Sequence, residues 1–316
     1  MVRPAQHERG GETPTRPDRV PLAILIRLAS ALGISTMNAL VKLAEAHGAR
    51  LGEILFFRQA VSVPVLAALI AAGPGLASVR TGRIGAHAVR AASGTAGMFL
   101  LFACVSLLPL AQATTLTFAV PIVATILGAL WLGEPTGRHR WSAVAAGFVG
   151  VVVVAQPWAG HFAPLGTAAG LGYAVTTALV SIQLRQIGRT EAPMTTVFWF
   201  AALSTPVLAI VYLFCAGPHP PLVWAILVGI GLVGSMTQLA LTGALRLAPV
   251  SVVVPMDYLQ LVWATLYGWA LFGVLPAAAT WVGAPVIVAS GLYIVWREQV
   301  VRRAAVATRA GADRLS

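Results

Sequence analysis

Charged residues are scarce in this 316-residue chain, and that scarcity limits the classes of protein to which it can belong. Only 10% of the residues are charged, 58% are hydrophobic, and the mean hydropathy is +0.83. Soluble domains carry roughly 25% charged residues. A water-soluble fold of this composition would lack the polar surface needed to cover it. The composition therefore argues against a large soluble enzyme and indicates a protein embedded in lipid.

Residues that perform catalysis or bind metals are also few. Cys104 and Cys215 lie in apolar runs, and the six histidines show no metal-ligand spacing. Lys42 is the only lysine, so no phosphate-binding loop is present, and no Ser-His-Asp or HExxH set is found. The glycines at 229–234 match GxGxxG, but they lie inside an apolar run rather than after a strand. We expect no enzymatic activity, no cofactor and no bound metal.

Long apolar runs make up most of the chain. A transmembrane helix needs roughly 20 apolar residues to cross the bilayer core. The N-terminal 1–20 and C-terminal 299–316 are polar or basic and are predicted to be cytoplasmic tails, the first of them disordered. The stretches long enough to span are 21–43, 53–72, 88–107, 112–132, 141–157, 165–185, 195–215, 222–243, 250–273 and 277–296.

The placement of basic residues predicts the orientation of these spans. If the N-terminus is cytoplasmic, fifteen of the 21 Lys and Arg residues fall in inside segments, against only Arg50 and Lys42 outside. Positive residues collect on the cytoplasmic side of membrane proteins. We therefore predict an even number of spans in a bacterial inner membrane, with both termini cytoplasmic. The net charge of +11 then reflects cytoplasmic loops rather than nucleic-acid binding.

The chain also carries a weak internal repeat. A shift of 140 residues lays 101–141 on 241–281. The matches include proline, glycine and tryptophan, residue types with particular structural roles. These pairs are Pro109 with Pro249, Gly128 with Gly268, Gly133 with Gly273, and Trp141 with Trp281. Two halves, 21–157 and 158–298, would each hold five spans, so the second must be inverted. We predict an all-α membrane protein of ten transmembrane helices in two inverted five-helix repeats, an arrangement typical of secondary transporters.

Polar side chains inside the spans are costly and usually face a protein interior or a wet cavity. Asp257 is predicted to be a proton-titratable or cation-binding carboxylate; the alternative is a structural bond to a nearby Arg, Ser or backbone amide. Arg58 is a candidate substrate contact that could instead snorkel outward or pair with Glu45 or Glu53. The complete set of candidate pathway residues is Asp257, Asn38, Gln238, Gln260, Tyr258 and Arg58.

Several motifs resemble those of one known family. They are FFRQ at 56–59, the stretch 107–141 with Pro121 and LGE at 132–134, its counterpart 249–281, and GLYIVWRE at 291–298. In order and spacing the chain resembles the drug/metabolite transporter superfamily, EamA family. The resemblance implies a central cavity shared by the two halves. The second repeat departs from the pattern, with Val274 in the place of Glu134, so we interpret Glu134 as structural.

The resemblance also implies a class of activity. Members of the family move amino acids, other small metabolites, riboflavin or S-adenosylmethionine. We expect a secondary transporter of a small organic metabolite, an amino acid or related compound with export favoured, and protons as the candidate coupling ion. The alternatives are an importer of a metabolite such as riboflavin or S-adenosylmethionine, and a non-transporting membrane assembly factor. The expected partners are the substrate and the lipid bilayer, with no nucleic acid; the oligomeric state stays open.

Overall fold

The computed structural model describes residues 20–131, 137–156, 158, 163–188, 190–247 and 254–312, and within them it holds helices and loops but no strand. The predicted all-α class is confirmed. Two 3-10 segments, Leu76–Val79 and Val254–Tyr258, accompany the α-helices. The α-helices, in chain order, are α1 Val20–Ala46, α2 Leu51–Ala60, α3 Ser62–Ala72, α4 Ile84–Leu107, α5 Leu110–Thr117, α6 Val120–Trp131, α7 Arg138–Ala155, α8 Pro164–Ile187, α9 Pro193–Cys215, α10 Pro221–Leu247, α11 Leu259–Phe272 and α12 Ala278–Ala312.

Eight segments of the described chain are long and apolar enough to cross a bilayer. The predicted fifth span corresponds to α7, whose apolar part, Trp141–Ala155, is shorter than the others. The predicted ninth span corresponds to the 3-10 turn Val254–Tyr258 followed by α11, and residues 248–253 before it lie outside the described residues. A count of ten spans therefore stays a prediction.

Two of the eight segments are interrupted helices, and a proline follows each interruption. α2 gives way to α3 at Val61, three residues before Pro64, and α5 gives way to α6 at Phe118 and Ala119, just before Pro121. A proline has no amide hydrogen, and its ring clashes with the carbonyl four residues earlier, so a continuous helix is disfavoured at both places. Interrupted helices within a membrane protein are tolerated where they are packed against protein or line a cavity.

The helix contacts follow the symmetry expected of two repeats. α1 packs along α10, and their counterparts in the other half, α8 and α4, pack along each other. The counterparts α2 and α9 pack directly together, as do α7 and α12. Phe118 and Tyr258, which are 140 residues apart, touch each other with ring centroids 4.9 Å apart. A residue that contacts its own counterpart lies at the pseudo-two-fold axis, so the axis passes between these two rings.

Some predicted features are not described. The described residues do not include the LGE motif at 132–134 with Glu134, nor Pro249. They also leave out the two ends of the chain, residues 1–19 and 313–316. The boundaries of the two halves stay predictions. α12 continues to Ala312, through most of the stretch predicted as the C-terminal tail.

Small residues let α7 and α12 approach closely. A Cβ atom built on Gly283 would lie 2.7 Å from the carbonyl oxygen of Gly150, and one built on Gly150 would lie 3.0 Å from that of Gly283. Neither helix can move aside without losing contact along its length. Close approach of backbones at small residues is a main source of helix association in lipid.

We expect Gly283→Leu to destabilise the protein by about 1–3 kcal/mol, because the added side chain has no space against α7. Thermal unfolding of the purified protein in detergent measures the effect. Gly85→Leu is the matched control, because a Cβ atom there meets nothing within 4 Å. Equal melting temperatures for the two variants would contradict close packing of α7 on α12.

Candidate functional site

An ion pair joins the two halves of the chain. Arg27 on α1 donates from Nη2 to Oδ2 of Asp257 in the 3-10 turn Val254–Tyr258. The side chain of Arg27 is 6% exposed and that of Asp257 is 24% exposed. Removing one partner of a buried ion pair leaves an uncompensated charge, which is strongly destabilising. The pair therefore holds α1 against the turn.

Further polar contacts attach α1 to the second half. The Ser35 hydroxyl donates to the backbone oxygen of Gln260 at 3.1 Å, and the hydroxyls of Thr36 and Tyr267 share a hydrogen bond of 2.8 Å. Asn38 is 3% exposed, and its Oδ1 accepts no hydrogen bond from the part of the chain that the structure describes. A buried amide oxygen without a partner is rare in proteins. The seam between α1 and α11 therefore carries several polar groups inside the bundle.

A cavity of about 230 Å³ opens at the far end of this seam. Lys42 on α1 donates from Nζ to the carbonyl oxygens of Val105 at 3.0 Å and Leu108 at 2.7 Å, which end α4. A cation at the C-terminal end of a helix is favourable because the last carbonyls lack partners. The residues lining the cavity are Lys42, Leu107, Leu108, Pro109, Leu110, Gly268, Phe272 and Val274.

One face of α1 runs from this cavity towards the ion pair. Lys42, Asn38 and Ser35 recur at helical spacing, and Arg27 continues the same face two turns earlier. The cavity lies at the predicted outer end of the bundle, and the ion pair lies at the predicted cytoplasmic end. The face that joins them is a candidate solute pathway.

Arg58 belongs to a second polar cluster. Its Nη1 donates to Gln59 Oε1 at 3.0 Å and to Ser62 Oγ at 3.1 Å. Gln59 Nε2 in turn donates to Ser204 Oγ on α9 at 2.6 Å, and Ser235 Oγ on α10 donates to Ser62 Oγ at 2.8 Å. A small cavity lies among these side chains, with Gln238 also in its lining.

The alternatives considered for Arg58 are wrong. Arg58 is only 8% exposed, so it does not snorkel out of the bundle. Glu53 instead accepts a hydrogen bond from the backbone amide of Gly217 at 3.0 Å, and its Oε1 lies 2.9 Å from Nε2 of His219. Within the described residues, neither Glu53 nor Glu45 is within 4.0 Å of the Arg58 guanidinium.

The six predicted pathway residues fall into two groups. Asp257 and Tyr258 are neighbours in the 3-10 turn, and Gln260, which is 9% exposed, begins α11 beside Ser35. Asn38 lies on the α1 face that borders this group. The other group comprises Arg58 and Gln238, which line the second cavity. The roles of all six stay predictions.

Arg27 is not among the candidate residues that the sequence predicted. Two signals could have identified it. Arg27 lies on the polar face of α1, and its distance from the predicted cytoplasmic end of span one is similar to that of Asp257 in span nine. Opposite charges at equal depth in a bilayer are natural partners, because an unpaired charge there is expensive.

Comparison with known proteins identifies the family. The sequence profile of the EamA-like transporter family matches residues 21–156 and 164–296. The chain belongs to the EamA-like transporter family. A relative in Vibrio cholerae, named a riboflavin transporter, is 33% identical over 72% of this chain and 76% of its own length.

Other EamA-type relatives carry different names. A pseudopaline exporter of Pseudomonas aeruginosa is 28% identical over 86% of this chain and 95% of its own length. An S-adenosylmethionine uptake transporter of Rickettsia bellii is 27% identical over 78% of this chain and 84% of its own length. The protein is thus a multi-pass membrane transporter of the EamA type, and its relatives differ in substrate and in direction.

The cavity at Lys42 gives a labelling prediction. In a variant with Cys104 and Cys215 replaced by Ser, we expect Lys42→Cys to react with a membrane-impermeant thiol reagent added outside intact cells, because the cavity opens there. Ser35→Cys is the control, because Ser35 is 1% exposed on the same helix face. Labelling of Ser35→Cys alone, or of Lys42→Cys only from the cytoplasmic side, would contradict an outward opening.

Proposed function

We propose that this EamA-family protein is a secondary transporter that moves a small organic metabolite across the bacterial inner membrane by alternating access. Both termini are cytoplasmic in this proposal. The observation that supports it is the ion pair between Arg27 and Asp257, which ties the two halves together at one end while the cavity at Lys42 lies at the other. In inverted-repeat transporters, one half rocks against the other around a central site.

Opening of the cytoplasmic end requires α1 to separate from the 3-10 turn. With both groups charged, separation would leave a buried arginine and a partly buried aspartate each without its partner, which is costly in a low-dielectric interior. A proton on Asp257 removes the attraction and lowers this cost. Oδ1 of Asp257 has no hydrogen-bond partner among the described residues, and the side chain is 24% exposed. Proton binding at Asp257 is therefore the proposed coupling step.

The remaining candidate residues have proposed roles along the route. Asn38 and Gln260 offer amide groups on the seam between α1 and α11, and Tyr258 offers an aromatic ring beside Asp257 at the pseudo-two-fold axis. Polar groups on interrupted segments near the midplane commonly bind solutes in inverted-repeat transporters. Arg58 and Gln238 contribute from the second cavity.

Substrate and direction are tested together. Proteoliposomes loaded with riboflavin, S-adenosylmethionine or an amino-acid mixture measure export, and the same solutes added outside measure uptake, each with and without an imposed pH gradient. The relative named a riboflavin transporter makes riboflavin the first probe. The amino-acid arm tests the metabolite class expected from the sequence. An assembly factor without transport activity would show no flux above empty liposomes in any arm.

We expect Asp257→Asn to remove the dependence of flux on the pH gradient, because the amide cannot bind or release a proton. The variant should still fold, with unfolding free energy lowered by about 3–5 kcal/mol, because Arg27 loses its partner. Flux across a series of imposed gradients measures the first effect, and thermal unfolding measures the second.

The double variant Arg27→Gln with Asp257→Asn is the matched control. It removes both charges, so the melting temperature should return towards that of the natural protein while the flux stays independent of the gradient. Retention of the natural pH dependence in Asp257→Asn would remove this carboxylate from the coupling mechanism.

A further inference from the structure

Two arginines are buried in the bundle with no acidic partner among the residues that the structure describes. Arg58 on α2 and Arg90 on α4 are each 8% exposed. Among the described residues, the basic side chains within 4.0 Å of a carboxylate are Arg27, His87 and His219, and neither Arg58 nor Arg90 is among them. A buried guanidinium without a counter-charge is expensive, so such residues are rare and usually functional.

Arg90 has little to compensate its charge. Its guanidinium carbon lies 4.5 Å from the centroid of the Phe200 ring, which is a cation–π contact. Its Nε and Nη1 atoms have no hydrogen-bond partner in the described chain. An aromatic face attracts a cation but accepts no conventional hydrogen bonds from it, so the donors of Arg90 remain available to a ligand.

Arg58 is only partly satisfied by its neighbours. Its Nη1 donates to Gln59 and Ser62, whereas its Nε has no partner among the described residues. The residues that do contact it are neutral, so they satisfy hydrogen bonds without neutralising the charge. Guanidinium groups bind carboxylates and phosphates through pairs of parallel N–H donors.

Glycines make room for both guanidinium groups. A Cβ atom built on Gly234 would lie 2.5 Å from Nε and 2.8 Å from Cδ of Arg58. A Cβ atom built on Gly94 would meet Nη1 of Arg90 and would lie 2.7 Å from Cε2 of Phe200. Any larger residue at 94 or 234 would displace these side chains. The glycines thus provide the space that two buried guanidinium groups need.

Phe200 links the two arginines. Its ring forms the cation–π contact with Arg90. Phe200 also lines the small cavity, together with Arg58, Ser62 and Ser235. The cavity has space for about one water molecule in this conformation, so it is closed here. The Arg58 guanidinium and the two hydroxyls form a set of donors suited to an oxyanion, whereas Arg90 contacts the Phe200 ring without lining the cavity itself.

We propose that Arg58, with the hydroxyls of Ser62 and Ser235, forms an anion site that binds a carboxylate or phosphate group of the transported metabolite, and that Arg90 adds positive charge nearby across the Phe200 ring. The proposal rests on the proposed transport function and narrows the substrate class to organic anions. The ligand supplies the negative charge that the described part of the protein does not place beside these arginines. The site opens when α9 moves relative to α2 and α10 during the transport cycle.

Ligand-dependent thermal stabilisation of the purified full-length protein tests the site. The probes are two matched pairs: riboflavin 5′-phosphate with riboflavin for the phosphate, and succinate with succinamide for the carboxylate. We expect at least one anion to raise the melting temperature more than its neutral twin, and the pair in which this occurs identifies the group. Equal shifts within both pairs, or no shift with either anion, would overturn the proposal.

Arg58→Gln should raise the half-saturating concentration of that anion roughly tenfold or more, because a charge-assisted hydrogen bond is lost, and Arg90→Met should raise it by a smaller factor, because only a nearby positive charge is removed. Arg80→Gln is the control, because it makes the same charge change at an exposed arginine. Unaltered anion affinity in Arg58→Gln and Arg90→Met would contradict the site.

Melting temperatures without ligand separate this role from a structural one. If an arginine serves to bind a ligand, its positive charge has no counter-charge in the protein without ligand. Its replacement by a neutral residue should therefore leave the melting temperature equal or higher. A structural arginine predicts a clear decrease in both variants, and that result would also overturn the proposal.

Flux measurements keep this proposal distinct from the transport function. Anion binding without any solute flux in proteoliposomes would refute the transporter and leave the site intact. Flux of riboflavin and of succinamide at the rates of their anionic twins would refute the site and leave the transporter intact.

Discussion

Arg27 and Asp257 bring opposite charges from the two halves of the chain together inside a bundle in which only 10% of the residues are charged. In such an interior each charge depends on its partner, because little else can compensate it. The contact therefore restricts which movements the two halves can make. In the proposed cycle, α1 leaves the 3-10 turn when one of the two charges is removed, which would link a structural rearrangement to a chemical event at one carboxylate.

The fold was predictable because its signals are local. Apolar runs mark the spans one at a time, and the matches of Pro109, Gly128 and Trp141 with residues 140 positions later mark the repeat. The continuity of each helix was harder to predict. Pro64 and Pro121 each lie just after an interruption. A proline can also lie within a helix that continues, however, as Pro206 does within α9.

The sequence identified candidate site residues by their type, but it did not predict which residues form ion pairs or hydrogen bonds with them. Asp257, Gln238 and Arg58 were identified because polar groups in spans are costly, a property each residue has alone. Partners depend on which helices are neighbours. The acidic residues considered for Arg58 were those near it in sequence, whereas Glu53 bonds across to His219, and Asp257 bonds to an arginine 230 positions away.

The scaffold is symmetric, but its charges are not. With the shift of 140 that relates Phe118 to Tyr258, the counterpart of Asp257 is Thr117, whose hydroxyl donates to the backbone of its own helix at 2.7 Å. The first spans of the two halves align with a slightly larger shift of 143 residues, which lays Asn38 on Ser181 and makes Gly170 the counterpart of Arg27. If the two end states of the proposed cycle are related by this symmetry, the second gate has no ion pair. Similar packing would then make the two states close in energy. The ion pair between Arg27 and Asp257 would decide which state is favoured, and breaking the pair would allow the change to the other state.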